Sequence, residues 1–338
     1  TWGVNLPAGT PTIDITKVHA RKDKIITGLT KGIEFLFKKN KIDWIKGTAR
    51  LTGNGGVEVF EGEKQTLQAK EIIVATGSQP RSLPHIKIDG KRIITSDEAI
   101  HLKAVPKSLV IMGSGAVGVE FASIFRRFGS EVTIIELMPR LVPVEDEEVS
   151  AFAKKAFEKQ GMKILTGATV SNLRKGKDSV TATITVGGKA QEITVDRVIS
   201  AVGIVGNVEN LGLEGTKVKV EKTHIVIDEW CRTGEPNVYA IGDVAGPPWL
   251  AHKAMHEGVV CVEKIAGVKL KRHYKLDAPK GVRGRNSDNT LIKKLMNWAP
   301  SIRLEDGMEK TYKWIYDEMT SGKASVVNAL PKQALAAQ

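Results

Sequence analysis

The feature that most constrains this chain is Gly113-Ser114-Gly115-Ala116-Val117-Gly118, a G-x-G-x-x-G set between an apolar run and an amphipathic one. Residues 109–112 predict a strand. Val117, Phe121, Ile124, Phe125 and Phe128 then recur at helical spacing until Gly129 stops them. In such a turn Gly113 permits the tight reversal, Gly115 lets the backbone approach a pyrophosphate, and Gly118 lets the helix pack close to the strand. The helix mouth presents unpaired N–H groups and the positive end of the helix dipole to the phosphates. A second strand, 132–135, leads into Glu136, 18 residues beyond Gly118. A carboxylate there accepts from both hydroxyls of an adenosine ribose and repels a 2′-phosphate, which favours NAD over NADP. Arg140, four residues on, keeps NADP open.

The alternation of strand and helix continues. Residues 147–160 predict a helix with Val149, Phe152, Ala156 and Phe157 inward and Gly161 as its stop. Residues 164–165 predict a strand, 169–195 a meander turning at Gly187-Gly188, and 197–201 a return to the sheet that ends Ala201-Val202-Gly203. Gly203 is assigned with the fingerprint to the NAD site. Upstream, 14–39 reads as a long helix with Val18, Ile25, Leu29, Ile33 and Leu36 on one face. Strand-like runs follow at 44–51, 57–60, 66–70 and 72–74, with Gly53-Asn54-Gly55-Gly56 as a turn, and then a linker marked by Pro80, Pro84 and Pro106. Residues 72–77, 198–203 and 238–242 share one form, an apolar strand, then Ala, one residue, then Gly. Ligands bind at the carboxyl ends of parallel strands, so three such ends point to two related nucleotide-binding units. The fold class is therefore α/β.

The bulk numbers exclude other classes. At 338 residues the chain has room for about two or three domains. No apolar run approaches the roughly 18 residues of a membrane helix, so no membrane association is expected. The formal charge of +12 is spread along the chain with little aromatic interleaving, which points away from nucleic acid as a partner. Cys231 and Cys261 are thirty residues apart and match no metal or redox spacing. They read as buried, idle thiols in a reducing compartment, a cytoplasm or an organelle matrix (mitochondrial or plastid). No metal site is expected. The start at Thr1-Trp2-Gly3, without methionine, suggests trimming or a fragment.

Beyond the fingerprint, Val119-Glu120-Phe121-Ala122, Met138-Pro139-Arg140-Leu141, Tyr239-Ala240-Ile241-Gly242-Asp243 and Leu250-Ala251-His252-Lys253-Ala254 with Glu257-Gly258 stand in order. With them the chain, from residue 1 to about 267, resembles dihydrolipoamide dehydrogenase, of the pyridine nucleotide–disulfide oxidoreductases. The resemblance implies a Rossmann-type NAD domain with a β-meander at 107–228. It implies a partial FAD-binding domain at 1–106 and a return segment to it at 229–267, with 268–338 as a C-terminal extension. It implies that Asp243, after Gly242, hydrogen-bonds the ribityl chain of FAD. His252 and Ala254 would lie near the flavin pyrimidine edge, Thr76 and Gly77 would pass close to FAD, and Glu120 would lie near the nicotinamide. It also implies a 2-oxoacid dehydrogenase complex as a partner.

The resemblance is incomplete. No G-x-G-x-x-G precedes residue 76, no Cys-x-x-x-x-Cys occurs, and no histidine follows His273 to serve as the C-terminal acid–base. A dithiol relay needs two adjacent sulfurs, so the chain alone is not expected to oxidise dihydrolipoamide. Either it is part of a longer polypeptide or another chain completes it. Residues 281–290 with Trp298-Ala299-Pro300, Asp306-Gly307 and Thr311-Tyr312-Lys313-Trp314-Ile315 resemble the C-terminal end of GDP-mannose 3,5-epimerase over about 279–320. A guanidinium fork matches phosphate, so Arg283 and Arg285 there are expected to suit a phosphate group. Three functions stay open: an NAD-dependent flavoprotein oxidoreductase, a non-catalytic nucleotide-binding scaffold subunit, and a nucleotide-sugar epimerase relative.

Overall fold

Asp14 opens the first long element because its carboxylate accepts from the Lys17 N–H and caps helix α1 (Ile15–Lys39). The computed structural model describes residues 3–5, 12–268, 293–294, 297 and 301–320. Strands β1 (Val4–Asn5) and β2 (Thr12–Ile13) pair just before that helix. After it, β3 (Gly47–Gly53), β4 (Gly56–Gly62) and β5 (Gln65–Gln68) form an antiparallel sheet. Next come β6 (Ile72–Val74), β7 (Ser78–Pro80), β8 (Ile93–Ile94) and the short helix α2 (Ser96–Ala99).

The nucleotide unit then follows as β9 (Ser108–Met112), α3 (Ala116–Arg127), β10 (Glu131–Glu136), α4 (Glu147–Lys159) and β11 (Lys163–Thr166). The meander β12 (Ala168–Lys175), β13 (Val180–Val186) and β14 (Lys189–Val195) leads back to β15 (Arg197–Ser200). The remaining strands are β16 (Ile204–Gly206), β17 (Val220–Glu221), β18 (His224–Ile225) and β19 (Val238–Ala240). A 3-10 turn (Gly242–Ala245) and helix α5 (Ala251–Ile265) complete this unit. Residues from Leu270 onward form a separate unit, in which Leu304–Thr320 is helical.

Strands buried on both faces must be apolar along their buried length, and in β9 the four buried positions after Ser108 are Leu109, Val110, Ile111 and Met112. Its order in the sheet is β11-β10-β9-β15-β8, with every pairing parallel. Leu109 and Ile111 point to the helical side, where Phe121, Phe125 and Ile134 pack. Val110 and Met112 point to the meander side, against Val180, Ile184 and Val198. One five-residue strand thus supplies two cores because successive side chains alternate faces.

Several expectations change in detail. On α3 the buried positions are Gly118, Phe121, Ala122 and Phe125, while Val117 and Ile124 are exposed. The sheet must accept the smooth Gly118 side, and that rotates the apolar stripe. On α4, Phe157 packs inward as expected, whereas Val149 and Phe152 are exposed and Ala153 packs inward in their place. The linker holds real structure. Strand β7 pairs with β16, β8 adds an edge to the nucleotide sheet beside β15, and Thr95 and Glu98 form a capping box on α2. Ile93 and Ile94 therefore sit in the nucleotide sheet although they precede residue 106. Val208, Leu211, Leu213 and Val218 pack with Val74, Ile225 and Val238 around the β6–β19 pair, although they precede residue 228.

Helix α1 has the length expected, and none of its residues is buried: Ile25, Leu29, Ile33 and Leu36 are exposed. Ile111→Ala, in the core, is expected to cost about 2–5 kcal/mol, whereas Leu29→Ser on α1 should change stability by no more than about 0.5 kcal/mol. Urea denaturation midpoints of the two variants check this contrast.

Candidate functional site

Backbone crowding at the carboxyl edge of the sheet builds the site. Gly113 leaves β9 at φ +96°, and a Cβ there would lie 2.3 Å from the carbonyl oxygen of Ala201, at the end of β15. Its N–H donates to Ile135 O on the other side, at 2.8 Å. Gly118 is needed for a different reason, because its Cβ would lie 2.1 Å from Gly113 O. Gly115 is needed for neither: its φ is −66° and no atom lies within 4 Å of the place its Cβ would take. The space over Gly115 is open, no side chain caps α3, and the N–H groups of its first turn have no partner within the helix. These three observations fit a diphosphate. Ala116 and Val117 are exposed at the mouth, as is Glu120 one turn further. Gly203, at φ +106° with open space around it, lies just beyond the adjacent strand β15.

Glu136 ends β10 with only 7% of its surface exposed. Its Oε2 accepts from the Ser114 N–H at 2.8 Å and the Ser114 hydroxyl at 2.7 Å, and its Oε1 accepts from the Met138 N–H at 2.8 Å. A carboxylate offers about four acceptor positions, so one remains for a ligand. This revises the expectation that Glu136 holds both ribose hydroxyls. Arg140 donates to Glu147 Oε1 at 2.7 Å and, from Nη2, to Pro143 O at 3.2 Å. It is thereby held to its own loop.

A second cluster forms where β6 and β19 run parallel. The Thr76 hydroxyl donates to Asn207 O at 2.7 Å, Asn207 Nδ2 donates back to Thr76 O at 2.9 Å, and Asn207 N–H donates to Gly77 O at 3.0 Å. Asp243 Oδ2 accepts from the Ser78 hydroxyl at 2.7 Å. Gly242 N–H donates to Glu257 Oε2 at 2.8 Å, and Glu257 Oε1 pairs with Lys253 at 2.9 Å. Ala254 is half-buried beside Gly242 and His252 is exposed. The structure thus brings Thr76, Gly77, Gly242 and Asp243 to one edge. Ser78 and Asn207, which hold that edge, carried no motif. Glu257 was legible only as part of a longer stretch. A carboxylate at this edge suits a polyol, but the sequence has no second glycine fingerprint to cradle a flavin diphosphate, so the flavin fit is partial.

Cys231 and Cys261 are both buried and free. Burial, reinforced by the neighbouring Cys261 and Glu257, pushes the Cys231 thiol up to about 11, and burial raises Cys261 too. Neither is a ready thiolate at neutral pH. No His/Cys/Asp/Glu group suited to a metal occurs among the described residues. The arginine-bearing stretch 281–290 and residues 298–300 lie outside the described residues. Tyr312 and Trp314 sit exposed on the helix Leu304–Thr320.

The family model described as pyridine nucleotide-disulphide oxidoreductase matches residues 5–258. A dihydrolipoyl dehydrogenase of Rhizobium etli is 50% identical over 272 residues, covering 75% of this chain and 56% of the relative. One from Zymomonas mobilis is 46% identical, covering 76% and 56%. The chain thus spans a little over half the length of the curated relatives it matches. Among solved structures, the HOCl-induced flavoprotein disulfide reductase RclA of Escherichia coli superposes with a TM-score of 0.69 at 26% identity, covering 75% of this chain and 58% of that one. LpdA of Mycobacterium tuberculosis superposes with a TM-score of 0.70 at 24% identity, covering 76% and 57%, a likeness of fold.

Gly115→Ala is expected to leave the melting temperature unchanged and abolish detectable NADH binding, while Gly118→Ala destabilises by more than about 2 kcal/mol. Differential scanning calorimetry with binding titrations separates the two. A thiol held up at about 11 in the folded state, against 9.0 ordinarily, stabilises the fold fully below pH 9.0. That contribution is lost as pH rises through about 11. Denaturation midpoints should therefore fall across this window, and less so in Cys231→Ala.

Proposed function

This chain belongs to the pyridine nucleotide–disulphide oxidoreductase family, and from that premise we propose that it carries the NAD-binding part of a dihydrolipoyl-dehydrogenase-type flavoprotein. The family uses FAD and NAD. The observation that carries the reading is the open space over Gly115 at an uncapped helix mouth, with a buried carboxylate at the end of the next strand. Backbone N–H groups of Ala116, Val117 and Gly118 bind the diphosphate, and Glu136 accepts from one ribose hydroxyl through Oε1. Glu120 and Gly203 border the nicotinamide side. Bound NAD supplies a hydride-accepting ring, and the protein's part is binding and orientation.

On the flavin side, Asp243, held by Ser78, receives hydroxyl protons of a ribityl chain, with Thr76, Gly77, Gly242, His252 and Ala254 along the same edge. Among the described residues that side has no diphosphate cradle, and the sequence has no Cys-x-x-x-x-Cys for a dithiol relay. Alone, the chain binds nucleotide without oxidising dihydrolipoamide. A longer polypeptide or a completing chain supplies the rest, and a 2-oxoacid dehydrogenase complex, in a cytoplasm or an organelle matrix, is the partner. No described helix is long and apolar enough to cross a membrane.

NADH is expected to bind the full chain in calorimetry, with Kd about tenfold higher or more in Glu136→Ala and no dihydrolipoamide-dependent NADH formation. Folded protein with no affinity for NADH would refute the reading.

A further inference from the structure

We propose that Ser114 is the positioning residue that holds the Glu136 carboxylate and thereby sets the choice between a free and a phosphorylated 2′-hydroxyl on the bound dinucleotide. This rests on the NAD reading of the glycine turn. Ser114 fills the first variable position of the fingerprint, where the motif asks only for a residue that tolerates the turn. The structure gives it a specific task. Its side chain is fully buried and faces the protein, not the open space over Gly115.

Ser114 contributes two donors to one oxygen: its hydroxyl at 2.7 Å and its N–H at 2.8 Å, both on Glu136 Oε2. The same hydroxyl accepts from the Val142 N–H at 3.2 Å, so it also ties the turn to the segment after β10. Met138 N–H holds Oε1 from the opposite side at 2.8 Å. The carboxylate is pinned at both oxygens and cannot rotate away without leaving buried donors unpaired.

That immobility is what a 2′-phosphate would meet. A free 2′-hydroxyl brings a proton for the remaining position on Oε1. A phosphate brings negative charge and acceptors only, against a carboxylate that cannot move aside. Arg140, the nearby cation able to offset that charge, is held by Glu147 and Pro143 O. Discrimination therefore depends on what it takes to displace Glu136, and the Ser114 hydroxyl is the side-chain group that raises that barrier.

The test uses the full chain, with Kd for NADH and for NADPH measured by calorimetry in wild type, Ser114→Ala and Ser114→Thr. Wild type should prefer NADH, Ser114→Ala should lower the NADH-over-NADPH ratio about tenfold, and Ser114→Thr, which keeps the hydroxyl, should hold the ratio near wild type. A purely structural role would weaken both nucleotides together and leave the ratio unmoved. If circular dichroism shows Ser114→Ala unfolded, Ser114→Cys, of similar size and a poor donor, carries the same expectation. An unchanged ratio in a folded Ala or Cys variant overturns the proposal while the NAD reading stands. Failure of wild type to bind either nucleotide overturns the NAD reading itself and this proposal with it.

Discussion

The site depends on a steric constraint where β9 ends. The strand must leave the sheet between β10 and β15, and two carbonyl oxygens stand where side chains would go. Ala201 O blocks a Cβ at Gly113, and Gly113 O blocks one at Gly118. Both contacts are backbone against backbone, so neither can be relieved by a rotamer change. The helix can approach the strand only with hydrogen at both positions. That approach aims the first turn of α3 at the open space over Gly115. The open helix mouth is thus a by-product of close packing, and the helix end carries its own partial positive charge.

The second constraint is polar. Glu136 is a buried carboxylate at the end of a strand, and such a group persists only when its acceptor positions are filled. Ser114 and Met138 fill three of about four. This joins the glycine turn to the following loop, so that Ser114, Glu136, Met138 and Val142 are parts of one hydrogen-bonded assembly. At the other edge, Thr76 and Gly77 are tied to Asn207 in a comparable way, and Asp243 to Ser78. There, however, the described strands meet only as two short pairs, β6 with β19 and β7 with β16. The two edges differ in completeness, and the first has the five-stranded parallel sheet behind it.

Much of this was legible in the residues. The strand–turn–helix–strand order from 108 to 136, the meander and its glycine turn, and the glycine stops after α3 and α4 follow from local patterns that do not depend on distant partners. The inward faces of α3 and α4 were read in part: Phe121, Phe125 and Phe157 pack inward, while Val117, Ile124, Val149 and Phe152 are exposed. Apolar spacing marks a stripe but not which edge of it the sheet covers, and Gly118 carries no hydrophobic signal although it lies at the contact. The apolar face of α1 makes a related point: periodicity says a face can be buried, not that something covers it, and none of its residues is buried. Strand β8, two residues long, is set by pairing with β15 from more than a hundred residues away, and no local signal announces it.

The sequence by itself determined where the glycine turn lies, that a strand precedes and a helix follows it, and that an acid closes the next strand. These are short-range matters of backbone freedom and periodicity. Only the tertiary structure decided what that acid does. Ser114 and Glu136 lie 22 residues apart, and the bond between them exists because parallel pairing sets β10 beside β9, a non-local arrangement that no spacing encodes.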